Sequence, residues 1–127
     1  MKLNDRYEIL TQIPSDINEH MPVLRKYAEE CSHITEFGTR FGVSTIAFLR
    51  GMHSKGTLVS YDINDCSDVT DDPRWIFKQA DTSQLSLIAP TDMLFIDTLH
   101  TYAQVEAELQ MAEFVRFYII FHDTVLF

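Results

Sequence analysis

The stretch Glu36-Phe37-Gly38-Thr39-Arg40-Phe41-Gly42-Val43-Ser44 decides the fold. Just before its turn, Ile34-Thr35-Glu36-Phe37 predicts a short strand, and after it Ser44 to Arg50 predicts a helix that Gly51 ends. A glycine-bearing turn between strand and helix lets a ligand approach the backbone and aims helix N–H groups at it. The glycines stand four apart, so the G-x-G-x-x-G spacing of a dinucleotide site is missing, and Glu36 would repel a pyrophosphate. A cationic or amino-bearing ligand suits this turn better.

Outward from the turn, strands and helices alternate. The N-terminal segment 1–32 reads as helical, with Ser15 and Asp16 as caps and Met21, Leu24, Tyr27, Ala28 and Cys31 at helical spacing. A second strand, Thr57 to Tyr61, closes on Asp62, which can accept both hydroxyls of a ribose. Asn64 to Arg74 is polar and punctuated by Asp65, Asp68, Asp71, Asp72 and Pro73, so it predicts loop with at most one helical turn. Trp75 to Gln79 predicts a third strand, followed by Asp81 and a short helix capped by Thr82. Met93 to Ile96 is the apolar run of a strand buried on both faces, and it ends in Asp97. Ala103 to Val115 predicts a helix with Val105, Leu109, Ala112 and Val115 inward and Glu106, Glu108 and Glu113 off that stripe. Tyr118 to Phe121 predicts a fifth strand; this run and Trp75 read as core.

This order implies an α/β fold with a mainly parallel sheet and helices on both faces. Right-handed crossovers bring every strand's carboxyl end to one edge, where Glu36, Asp62, Asp81, Asp97 and Asp123 should gather. Each alone reads equally as a turn former or helix cap. All five together point to a ligand crevice.

The composition bounds the rest. At 127 residues and 46% apolar, the chain predicts one folded domain, 1–127. Ten basic against nineteen acidic residues, a net charge of −9, argue against a nucleic-acid surface. The apolar run Phe117 to Phe121 is far short of the ~20 residues of a spanning helix, and Met1 to Arg6 lack a signal peptide's apolar core. No membrane partner and a cytoplasmic location are the expectations. Cys31 and Cys66 match no metal spacing and read as reduced thiols.

From Ile34 to Thr124 the chain resembles the class I S-adenosylmethionine-dependent methyltransferases, with their Rossmann-like fold. The family's E-x-G-x-x-x-G-x-S motif is matched by Glu36, Gly38, Gly42 and Ser44, which implies contacts to the methionine part of S-adenosylmethionine. Asp62 matches the ribose ligand, with Ile63 beside the adenine; Asp81, with Thr82 and Ser83, matches the position facing the adenine amino group. The segments Phe95 to Tyr102 and Ile120 to Thr124 look like the branch of sugar and natural-product O-methyltransferases and cephalosporin-hydroxylase-like proteins. The implied activity is O-methylation of a hydroxyl on a small molecule or sugar. A nonenzymatic S-adenosylmethionine-binding or assembly protein, or an inactive fragment, is the alternative.

Asp97 and Asp123 end neighbouring strands, so they either share a divalent cation such as Mg²⁺, or Asp97 contacts substrate or cofactor while Asp123 caps a turn. Metal-dependent relatives carry an acidic residue or Asp-Asn pair after the fifth strand. Here His122-Asp123-Thr124 stands instead, adding His122 as a candidate ligand. His100, three residues after Asp97, is the candidate base for the acceptor hydroxyl, with a loop-packing role as the alternative. Two departures accompany the match. The loop after the second strand leaves no room for a full crossover helix, and the sheet stops after the fifth strand, short of the family's last two. An exposed fifth-strand edge predicts a homo-oligomer built across it.

Overall fold

Two helices, α1 (Leu3–Gln12) and α2 (Met21–Ala28), precede strand β1 (His33–Phe37). The glycine turn leads to α3 (Val43–Gly51), then β2 (Thr57–Asp62), a loop without helix, and β3 (Trp75–Gln79). A 3₁₀ turn, Thr82–Gln84, precedes β4 (Thr91–Ile96), α4 (Tyr102–Leu109) and β5 (Val115–Phe121). This computed structural model describes residues 1–98 and 101–122. No helix among the described residues is long and apolar enough to cross a membrane.

The five strands hydrogen-bond in the order β3-β2-β1-β4-β5, every pair parallel. This is a Rossmann-like parallel sheet with helices on both faces. On one face Ile34, Leu58, Met93 and Phe95 pack against Met21, Leu24, Ile46, Phe48 and Leu49 of α2 and α3. On the other, Phe37, Tyr61, Leu94 and Ile96 meet Ile88 and Met111. Every residue of β4 is buried, Thr91 and Asp92 as well as the apolar run Met93 to Ile96. The chain reverses its direction of travel across the sheet between β1 and β4, and ligands in such sheets bind outside the strand ends at that point.

Three expectations are corrected. The last helix ends at Leu109 and continues only as a 3₁₀ turn, Gln110–Phe114, so Val115 is in the strand. Its inward residue is Glu108, 0% exposed, whereas Leu109 faces out. Hydroxyls of Thr82 and Thr98 and the Gln104 amide converge on Glu108, which is why a carboxylate tolerates that burial. In β5 only alternate residues pack inward: Tyr118 and Ile120 join the core, while Phe117, Ile119 and Phe121 stay exposed. Asp81, not Thr82, caps the turn after β3, accepting from the Ser83 amide.

Candidate functional site

The strand ends at the reversal point are tied together by backbone. The Gly38 amide donates to Tyr61 of β2 at 2.8 Å, Asp97 N–H donates to Phe37 at 2.9 Å, and His122 N–H donates to Ile96 at 3.0 Å. These bonds continue the ladder past the strands and set Gly38, Asp97 and His122 side by side. Gly38 has φ +96°, and a Cβ there would lie 2.1 Å from the Asp97 carbonyl oxygen. Gly42 has φ +85°, and its Cβ would strike Val69 at 2.3 Å. Only glycine fits either place. Between them Arg40 also takes a left-handed conformation, φ 49°, uncommon for a residue with a side chain.

Glu36 lies beneath this turn rather than on the open edge. It is fully buried, and its carboxyl accepts hydrogen bonds from Ser44, from Thr45 at 2.6 Å and from Ser60 at 2.7 Å. The Trp75 indole N–H donates to the same Ser60 hydroxyl at 2.8 Å. Burial pushes the Glu36 carboxyl up to about 7, although the three hydroxyls pull the other way. The side chains of Glu36 and Ser44 are therefore engaged with each other, not turned toward a ligand.

Asp62 closes β2 with its carboxylate under the turn. One oxygen accepts from the Thr39 and Arg40 amides, both at 2.9 Å, and the other from Asn64 at 2.9 Å. Ile63 beside it is 65% exposed, an apolar surface at the strand end. Asp81 is exposed and accepts from both the amide and the hydroxyl of Ser83, which hold its carboxyl below the usual range. Thr82 is buried, its hydroxyl donated to Glu108 at 2.5 Å, so its side chain faces α4.

At the far side of the turn Asp97, 7% exposed, sits among cationic and imidazole groups. Nη2 of Arg40 bridges Asp97 at 2.6 Å and Asp16 at 2.8 Å. His122 Nε2 lies 3.1 Å from the Asp16 carbonyl oxygen, a bond only a ring N–H can make, so Nε2 carries a proton. Nδ1 is then 3.4 Å from an Asp97 oxygen and, among the described residues, has no hydrogen-bond partner although it is buried. Ligand atoms of Asp16, Asp97 and His122 lie within 4.8 Å of one another, a set that could hold a metal ion. The adjoining cleft has a volume of about 160 Å³, room for an ion and its waters rather than a nucleoside. His100 and Asp123 lie outside the described residues.

Sequence reasoning thus reached Gly38, Gly42, Asp62, Asp97 and His122, which the fold brings to one edge. It missed Arg40, Asp16 and Glu108. Arg40 carried a signal: it is the lone cation in a turn between acidic strand ends. Asp16 looked like a helix cap, and Glu108 like one of several surface glutamates.

The sequence profile of a family described as "Methyltransferase domain" matches residues 35–124. The chain belongs to this family, and its fold is that of the class I S-adenosylmethionine-dependent methyltransferases. No curated protein sequence matches it. Among solved structures, MycE methyltransferase of the mycinamycin biosynthetic pathway, in complex with Mg and SAH, is 20% identical with TM-score 0.61, covering 90% of this chain and 36% of its own. The methyltransferase PaMTH1 of Podospora anserina, SAH-bound, is 18% identical with TM-score 0.59, covering 87% and 56%. An O-methyltransferase from Bacillus cereus, in complex with SAH, is 21% identical with TM-score 0.56, covering 86% and 59%. The chain thus spans roughly a third to three-fifths of these proteins' lengths.

Proposed function

We propose that this chain binds S-adenosylmethionine and serves O-methylation of a hydroxyl on a small molecule, a sugar or natural product being the class its last segments suggest. The observation carrying this reading is the meeting of the glycine turn, Asp62 and Asp97 at the reversal point of the sheet, in a chain of the methyltransferase family. When bound, S-adenosylmethionine supplies a sulfonium methyl group that an acceptor oxygen takes by in-line displacement, leaving S-adenosylhomocysteine.

The residues fit that cofactor by charge. Asp62 offers carboxylate oxygens to ribose hydroxyls once they compete with the turn amides, and exposed Ile63 offers adenine an apolar neighbour. Gly38 and Gly42 shape the turn for the methionine part, while Glu36 and Ser44 act from beneath by fixing the start of α3. Asp81 and Thr82 flank the adenine end. Most of the acceleration would come from orienting acceptor and methyl group, with His100 taking the hydroxyl proton.

The donor set also fits a divalent cation. The buried Nδ1 of His122, without a hydrogen-bond partner among the described residues, faces Asp97, and an imidazole nitrogen and a carboxylate this close suit a cation between them. Asp97 and His122, with Asp123 as the further candidate from the sequence, would hold Mg²⁺ or Mn²⁺, which would supply Lewis acidity toward the acceptor hydroxyl.

Calorimetric titration with S-adenosylmethionine, with and without Mg²⁺, tests the reading. Binding is expected, weakened at least tenfold in Asp62→Asn, since a hydrogen bond to a charged group is worth about 1.5–3 kcal/mol. Absent binding, or an unchanged affinity in that variant, overturns the cofactor assignment. Formation of S-adenosylhomocysteine only with a hydroxyl acceptor present would identify the transfer.

A further inference from the structure

The cation site is already occupied by a side chain of the protein. Arg40 Nη2 lies within 2.8 Å of both Asp16 and Asp97, the two carboxylates that, with His122, come within ligating distance of one point. The residue reaches there by an unusual route. Its backbone is left-handed, its amide is anchored on Asp62, and it is flanked by two left-handed glycines, Gly38 and Gly42. A left-handed non-glycine residue stores a small conformational cost and persists where its surroundings hold it. Here the arrangement puts a guanidinium between two acids while leaving the third donor, nine-tenths buried His122, with its Nδ1 unpaired. A guanidinium donates hydrogen bonds, so it satisfies the carboxylates; to Nδ1 the described structure gives no donor.

We propose that Arg40 is a built-in occupant of this site, and that Asp16 brings the N-terminal segment in as a ligand when a divalent cation displaces Arg40. The inference rests on the cation site proposed above. Arg40 bridges Asp16 and Asp97 and offsets one of their two negative charges, and it must swing out for an ion to reach all three donors. Its 47% exposed side chain has solvent to swing into. The apparent affinity for the ion is then the intrinsic one reduced by the fraction of molecules in which Arg40 has left.

Mn²⁺, titrated into the full chain and followed by loss of the free-ion electron paramagnetic resonance signal, reads this without any turnover. Arg40→Met and Arg40→Gly both remove the guanidinium, and glycine also suits the left-handed backbone, so folding, checked by thermal melting, is retained in at least that variant. Each is expected to bind Mn²⁺ about tenfold more tightly than the wild type, and Arg40→Lys to stay near it. Asp16→Asn placed in the Arg40→Gly background is expected to lose about that gain. Equal or weaker binding in both charge-removing variants, with Asp97→Asn still abolishing wild-type binding, overturns the occupant role and leaves the cation site standing. No effect of Asp16→Asn overturns the role of Asp16. Absence of Mn²⁺ binding in every form overturns the cation site itself and this proposal with it.

Discussion

Glu36 is a carboxyl with no solvent, held by three hydroxyls, and its stability effect has a definite sign. Burial raises it from an ordinary 4.5 to about 7. Between those values the folded chain holds a proton that the unfolded chain has lost, so this group's contribution falls as pH rises from about 4.5 to 7 and is constant above that. The total is on the order of 3 kcal/mol. Glu36→Gln should therefore flatten the difference between urea denaturation at pH ~5 and pH ~8 relative to wild type, an equal difference being the contrary result. At Gly38 the cost is steric. Gly38→Ala places a Cβ against the Asp97 carbonyl and is expected to lower unfolding free energy by about 2–3 kcal/mol, read as a lower denaturant midpoint at constant slope. Both residues were visible in the sequence. Their partners were not, because Ser60 and Asp97 lie 24 and some 60 positions downstream and meet them only through strand pairing.

At the scale of elements, Glu108 joins three pieces that chain order keeps apart. It receives the hydroxyl of Thr82 after β3, the hydroxyl of Thr98 after β4 and the amide of Gln104 from its own helix. It thereby ties the turn at Thr82–Gln84 and the end of β4 at Thr98 to α4. Glu108→Ala leaves the buried Thr82 hydroxyl and the half-buried Thr98 hydroxyl without this acceptor, a loss of about 2–3 kcal/mol, whereas Glu108→Gln keeps an oxygen and should lose less. Amide hydrogen exchange should accelerate in α4 and in Thr82–Gln84 in the alanine variant while β1 and β4 stay protected. Exchange unchanged in α4 would show that packing, not this carboxylate, docks the helix. Periodicity misread this element because a helical wheel assumes apolar residues face inward, and here a fully paired carboxylate does.

For the whole molecule, the β5 edge carries exposed apolar side chains. Phe117, Ile119 and Phe121 are 37–52% exposed on a strand paired only with β4 among the described residues. Such an edge presents unpaired backbone groups beside apolar side chains. We propose that a second copy of the chain covers it through a two-fold contact. Light scattering should then give a dimer mass at tens of micromolar, and Ile119→Lys should return the monomer; a monomeric wild type contradicts the contact. The net charge of −9 opposes this association, so the dimer should strengthen as salt is raised.

The sequence by itself determined the strand and helix order, the parallel α/β class, the glycine turn and the acids at the strand ends, because each is a local pattern: period, punctuation, a residue type after an apolar run. Tertiary structure alone decided which way those acids point. Glu36 turned inward to hydroxyls, Asp62 took up the turn amides, and Arg40 crossed to Asp16 and Asp97. These outcomes depend on which strand lies beside which and on the handedness of one turn. Contacts between groups distant in the chain are set by packing and hydrogen-bond satisfaction, which no local pattern encodes.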